Sequence, residues 1–268
     1  MFNLFKYKLN AGLISDIGKA RFENQDNFSL GRFINTDKKE HVEWELKGQK
    51  FPQAYAVMDG MGGEKLGAQA SLEVAGFFSY ICRDILADLN AVDEKNKELI
   101  FKELIYTLNE RVRKMAGEHK VRQSGTTLAA IFFINNKVYV LSVGDSEVFL
   151  IRNKNISRLN RLDYLSVTLA DENESQRKMK LGLSQFLGMD TTEYEFHLSI
   201  KELSIENDDS FLICSDGLTD YVKDTEIAEI THEYKLMDSI KILLGLAMER
   251  GGKDNTTILR IDIVETIF

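Results

Sequence analysis

Three apolar segments of this chain run directly into an aspartate among small residues: AYAVMDGMGG reaches Asp59, VYVLSVGDS reaches Asp145 and FLICSDGLTD reaches Asp216. Two more aspartates stand just ahead of apolar segments, Asp26 in ENQDNF and Asp254 in GGKDNTT. This pattern constrains the fold, because neighbouring strands bring their ends to a common sheet edge. A lone Asp-Gly pair is a turn signal more often than a ligand. Five such aspartates carry more weight. Gathered on one edge they would repel one another and lose hydration, and a bound cation is the usual remedy. Oxygen-only ligands select Mg²⁺ or Mn²⁺ over zinc, and His41, His119, His197 and His232 all lie away from these motifs. With no side chain, Gly60, Gly62 and Gly63 would let backbone approach an ion or a phosphate, and a glycine carbonyl can itself be a ligand.

Leu9 to Ile17, Asn27 to Phe33 and Ala54 to Met58 read as strands, with GKARFENQD as a polar loop and Asn35 to Gln53 as a long hairpin excursion. Apolar residues at helical spacing follow from Ala70 to Leu89 and again from Ile100 to Met115, which predicts two consecutive helices. From Thr127 the period changes to that of strands, with a tight hairpin expected at Asn135-Asn136 and a second in EVFLIRNKNISRL. Further strands are expected at Phe196 to Leu203, Ser210 to Ser215 and Thr256 to Val264, and helices at Asp224 to Thr231 and Met237 to Glu249. Strands in clusters and helices in pairs argue for an α+β layered domain with antiparallel sheets.

No composition shift or linker-like run divides the 268 residues, so residues 1-268 are expected to form a single domain. The net charge of -8 argues against nucleic acid as partner. No signal-peptide core or membrane-length apolar run is visible, and Cys82 and Cys214 lack metal-type spacing, so a cytoplasmic protein is expected. Neither cysteine is followed six residues later by arginine: Asp88 and Asp220 stand there, against a cysteine phosphatase. No P-loop signature occurs, against that class of nucleotide hydrolase. Ser146 in GDS lacks the following Asp-x-x-His that would complete an esterase triad.

Taken in order, GKARFENQD, AVMDGMGG, SGTTLAAI, VLSVGDS, LICSDGLTD and GGKDNTTI resemble the motifs of the metal-dependent PP2C (PPM) serine/threonine protein phosphatases of bacterial type, from Gly18 to Ile258. The resemblance implies a four-layer α-β-β-α fold, a central antiparallel β-sandwich flanked by helix pairs. It implies that Asp59 bridges two Mn²⁺ or Mg²⁺ ions, that the Gly60 carbonyl joins one of them, and that Asp216 and Asp254 hold the other. Asp26 would sit in or just behind this ligand set, and Asp145, Asp216 and Asp220 would hold a third, weaker ion. Arg21 would bind the phosphate, since its planar fork donates two parallel hydrogen bonds. The implied reaction is hydrolysis of phosphoserine and phosphothreonine on proteins by metal-activated water. The expected partner is a phosphoprotein marked by a Ser/Thr kinase, and the expected state is a monomer.

The chain also departs from the family. Glu147 in GDSE replaces a common arginine and would add negative potential beside Asp145 or recruit a lysine. LNRLDYLS puts Tyr164 where the family commonly has a histidine after Asp163, which calls for another proton source. Val167 to Gly182 is short for the family's flap and implies an open site, and the 35-53 excursion with Trp44 is a candidate partner surface. The alternative function, a catalytically silent metal-binding regulatory module, is disfavoured because Arg21, Asp26, Asp59, Asp216 and Asp254 are all present.

Overall fold

The computed structural model describes residues 7–37, 39–62, 66–121, 124–170, 176–192 and 194–265. Strands β1 (Tyr7–Asp16), β2 (Asp26–Leu30), β3 (His41–Gln49) and β4 (Gln53–Met61) precede helices α1 (Gly67–Ala91) and α2 (Glu94–Glu118). Then come β5 (Gly125–Thr126), β6 (Leu128–Ile134), β7 (Lys137–Val143), β8 (Glu147–Arg152), β9 (Asn155–Arg158), β10 (Tyr164–Ala170), β11 (Gln176–Leu183), β12 (Ser199–Ser204) and β13 (Ser210–Cys214). The chain ends with α3 (Asp216–Thr219), α4 (Asp224–Glu233), α5 (Leu236–Glu249) and β14 (Thr256–Glu265).

One sheet runs β3-β1-β14-β13-β8-β9 and the other β12-β7-β6-β4-β2, with β5 attached to β4. The pairings are antiparallel throughout. Strand alternation explains how one segment serves two layers. Tyr55 and Val57 of β4, with Phe133 of the adjacent β6, face Phe211 and Leu259 of the opposite sheet, while Ala54, Ala56 and Met58 face α1 and α2. On the outer side of the first sheet, Phe149, Leu212, Cys214 and Ile258 pack on Leu218, Ile240 and Leu243 of the C-terminal helices. The result is the expected α-β-β-α order.

Local chemistry accounts for several boundaries. Asp93 caps α2 by accepting from Asn96 N at 2.9 Å, and with Val92 in extended backbone just before it this sets the start of the second helix apart from the end of the first. Asn135 and Asn136 both take positive φ, at 49° and 62°, as do Asn153 and Lys154, at 50° and 67°; such turns match the strand twist of two-residue hairpins.

Two expectations need correction. Residues 35–53 are no hairpin excursion: β3 pairs along β1, from Asp16↔His41 to Leu9↔Gln49, and forms a sheet edge. The alternation of Val42, Trp44 and Leu46 is the strand signal, masked by the charges between them. Trp44 stacks on Phe33 with centroids 4.5 Å apart and stays 40% exposed. Strand β4 does not stop at Asp59 but continues to Met61 against Gly125 and Thr126. Within the stretch Val167 to Gly182, residues 167–170 lie in β10 and 176–182 in β11, and these two strands pair only with each other among the described residues. Gly63 and the side chain of Cys82 lie outside the described residues. Cys214 is buried in the sheet, and burial pushes its thiol well above the ordinary range, which suits packing and not nucleophilic attack.

Candidate active site

The loop between β1 and β2, the end of β4, the β7-β8 turn, the start of α3 and the loop before β14 meet at one end of the sandwich. They enclose a cavity of about 850 Å³. Arg21, Asp59, Gly60, Gly62, Asp145, Asp216 and Asp254 all line it, with Thr127 and Asn255 between them. Tertiary structure thus gathers four of the five strand-end aspartates.

The backbone is riveted together by side chains the motifs carry. Asn255 is the central rivet: its Oδ1 accepts from Gln25 N at 2.8 Å, and its Nδ2 donates to Ile17 O at 2.8 Å and Glu23 O at 3.2 Å. It therefore fixes the Arg21 loop to the Asp254 loop. Thr127 Oγ1 accepts from Asp59 N at 2.9 Å and lies 2.6 Å from Ser146 Oγ, so the end of β4 is tied to the GDS turn. Thr126 Oγ1 donates to Asp59 O at 2.8 Å. Ser146 is thus a buried structural hydroxyl.

Close packing explains two glycines. A Cβ at Gly60 would collide with the carbonyls of Gly67 and Gln25, and one at Gly217 with that of Asn255. The expectation that Gly60 is bare for the sake of an ion or a phosphate is thereby supplemented: its bareness seats the start of α1 against the Arg21 loop.

Asp26 lies behind the cavity, paired across the sheet with Asp59. Its Oδ2 accepts from Ser215 Oγ at 2.7 Å and Thr257 Oγ1 at 2.8 Å, while Oδ1 is buried with no hydrogen-bond partner. Burial, opposed by those two hydroxyls and reinforced by Asp254 and Asp216, pushes the carboxyl up to about 7. Asp59 is pushed well above the carboxylate range by burial first, then by repulsion from Asp26, Asp216, Asp145 and Asp254. Arg21 donates to both oxygens of Asp254, Nε to Oδ1 at 2.8 Å and Nη2 to Oδ2 at 2.5 Å. That pairing holds the guanidinium charged, against burial and with help from Asp59 and Asp216.

Such clustered anions with a buried orphan oxygen are the environment of a hard cation. Among the described lining residues the candidate ligands offer oxygens alone and none is a histidine, so they fit Mg²⁺ or Mn²⁺ in charge and donor type. Among the described residues no three His, Cys, Asp or Glu side chains form a closed ligand cluster, and a guanidinium sits on Asp254.

Asp220 is exposed and outside the cavity lining, one turn beyond Asp216, with its N–H donating to Asp216 O at 2.9 Å. Glu147 does not join Asp145 at the cavity. It is buried on β8, where it forms an ion pair with Arg158 of β9 and recruits an arginine instead of the expected lysine. Asp163 is buried too: its Oδ2 accepts from Gly144 N at 3.2 Å and its backbone N–H donates to Gly144 O at 2.9 Å, which braces the Asp145 turn. Sequence reading singled out none of Asn255, Thr127, Ser215 or Thr257. Their signal was present in KDNTT, SGTT and CSDG, where buried small polar residues adjoin a carboxylate.

Comparison with known proteins bears on the family and the fold. A family model described as Protein phosphatase 2C matches residues 35–245, a span that holds Asp59, Asp145, Asp216 and Asp220. The serine/threonine protein phosphatase PstP of Mycobacterium tuberculosis is 29% identical over 222 residues, which cover 78% of this chain and 40% of that protein. The chain thus spans less than half the length of that relative. The serine/threonine phosphatase stp of Listeria welshimeri is 27% identical over 262 residues, 95% of this chain and 96% of that one. A solved structure of M. tuberculosis PstP/Ppp superposes with a TM-score of 0.74 at 25% identity, covering 97% of this chain and 100% of that one. A second, of the PstP catalytic domain in complex with two manganese ions, gives a TM-score of 0.67 at 24% identity and the same coverages. No helix among the described residues is long and apolar enough to cross a membrane. With its sandwich, its ordered motifs and a family model matching most of its length, the chain belongs to the protein phosphatase 2C family.

Proposed function

We propose that this chain hydrolyses phosphoserine and phosphothreonine on protein substrates with the help of Mn²⁺ or Mg²⁺. The observation that carries the reading is the convergence of Asp59, Asp145, Asp216 and Asp254 with Arg21 on one cavity. Support comes from the PstP catalytic domain, which was crystallised with two manganese ions. Asp59 and the Gly60 carbonyl, with Asp216 and Asp254, would hold the pair, Asp26 would back them, and Asp145 with Asp216 and Asp220 would hold a third. When bound, the ions supply Lewis acidity that makes water nucleophilic near neutral pH and offsets charge on the phosphate oxygens.

The chain's own residues do the rest. Arg21, half-exposed on Asp254, has the reach and fork geometry to give two parallel N–H bonds to a phosphate. Asn255 and Thr127 keep the loops bearing Arg21, Asp254, Asp59 and Asp145 in fixed relation, so orientation is set before substrate arrives. In the reaction a water oxygen joins phosphorus as the P–O bond to the seryl or threonyl oxygen breaks, and that oxygen takes up a proton. Phosphoproteins made by a Ser/Thr kinase are the substrates this implies.

The test is hydrolysis of a phosphothreonine peptide and an aryl phosphate with Mn²⁺, with excess chelator, and by Asp59→Asn and Asp216→Asn variants. Turnover should need the metal and nearly vanish in both variants. Full activity in chelator would overturn the metal mechanism. A pure, metal-loaded protein inactive on both substrates would favour the silent regulatory module.

A further inference from the structure

Phe22 follows Arg21 directly, lines the cavity, and is 98% exposed. Met61, Gly182 and Leu183 line the same cavity, the last two from β11. Opposite Gly182 on β10 stands Leu165, which is 57% exposed, as is Leu181 beside it. The mouth of an acidic cavity is therefore apolar on two banks: the Phe22 loop and the base of the β10-β11 hairpin. Clustered exposed apolar groups at a binding cleft mark what the ligand covers.

We infer that Phe22 is a specificity-determining residue that selects phosphopeptides carrying a bulky aliphatic or aromatic side chain next to the phosphorylated residue. This rests on the phosphatase reading above. Residues of an extended chain are spaced about 3.8 Å apart at Cα, so a phosphate held by Arg21 places its flanking side chain against the residue adjoining Arg21. Burying an aromatic face against an aliphatic side chain is favourable, in proportion to the apolar area removed from water. Acidic neighbours are disfavoured, because a carboxylate gains nothing from this apolar surface and meets Glu23, which lines the same cavity and is not a proposed metal ligand.

The test uses one phosphothreonine peptide with Leu, Phe, Ala or Glu on either side of the phosphothreonine, and free phosphoserine as a reference for turnover. Wild-type kcat/KM should be on the order of ten-fold higher with Leu or Phe than with Ala, and lowest with Glu. In Phe22→Ala the Leu-to-Ala ratio should fall towards one, while Phe22→Leu retains most of it. A ratio unchanged in Phe22→Ala, or a wild type that cleaves all the peptides equally, would overturn the inference and leave the phosphatase reading standing. Failure of the metal-loaded wild type on every peptide and on phosphoserine would overturn both.

Discussion

Arg21 and Asp254, 233 residues apart in sequence, are joined by two parallel hydrogen bonds at 2.8 and 2.5 Å. One carboxylate thus serves as counter-ion to the arginine proposed to hold phosphate and as a proposed ligand for a cation. The two cations compete for the same oxygens.

Removing the competitor should show in binding. Arg21→Ala is expected to tighten Mn²⁺ binding up to about five-fold, the scale of a partly exposed ion pair, while KM for phosphate esters rises about ten-fold or more. Calorimetric titration of metal-free protein and steady-state kinetics measure the two effects. Weaker Mn²⁺ binding in the variant would instead make Arg21 a support for the ligand set.

Asp59 is uncomfortable among its neighbours, since burial and four other carboxylates all oppose its charge. In chelator, Asp59→Asn should therefore be more stable than wild type by about 1 kcal/mol, or a Tm gain of about 2–4 °C. Mn²⁺ should raise the wild-type Tm and barely move that of the variant. A lower Tm for Asp59→Asn in chelator would mean that its carboxylate is structurally satisfied without an ion.

Asn255 makes three side-chain hydrogen bonds that link the loop before β14 to the Arg21 loop. Asn255→Ala is expected to cost about 2–4 kcal/mol, at about 1 kcal/mol for each bond lost. Urea denaturation reads this directly. Activity should fall in proportion to lost orientation, with kcat affected even at saturating substrate.

His41 supplies a pH dependence. Its Nδ1 lies 2.7 Å from Asp16 Oδ2 and its Nε2 lies 3.3 Å from Glu43 Oε1, while Lys241 of α5 holds Glu43 at 2.7 Å. Burial opposes the charged ring, but Asp16 and Glu43 outweigh it and the pKa rises. The folded state then binds more protons than the unfolded state. This stabilisation is fully present below the ordinary value of about 6.5 and is lost as pH rises through the higher native value. Denaturant midpoints between pH 6 and 8.5 should fall with pH in wild type and less so in His41→Gln. Equal slopes would remove His41 as the cause.

Much of the fold could be read from local pattern. Asn-Asn at 135–136, the helical spacing from Ala70 and Ile100, and apolar β6, β7 and β13 all act through short-range stereochemistry, so they are legible in one dimension. Strand β3 was missed because its partner β1 lies some thirty residues earlier and its charged outward residues hide the alternation. The β10-β11 hairpin is hard to read from sequence because Tyr164, Leu165, Val167 and Leu181 are left exposed, and burial periodicity disappears where little is buried.

Sequence alone determined which residues could do the chemistry: carboxylates at apolar strand ends, an arginine in a polar loop, and no histidine or thiolate to compete with them. Only the folded chain decided who stands next to whom, since contacts between residues 21 and 254 or 26 and 257 depend on two sheets stacking with their ends in register, and that between 59 and 127 on β4 lying beside β5 and β6. It also sent Glu147 away from Asp145 to Arg158 and left Phe22 bare beside Arg21. The physical reason is that side-chain identity sets what a group can bind, whereas the spacing and dielectric that fix its charge come from distant segments packed around it.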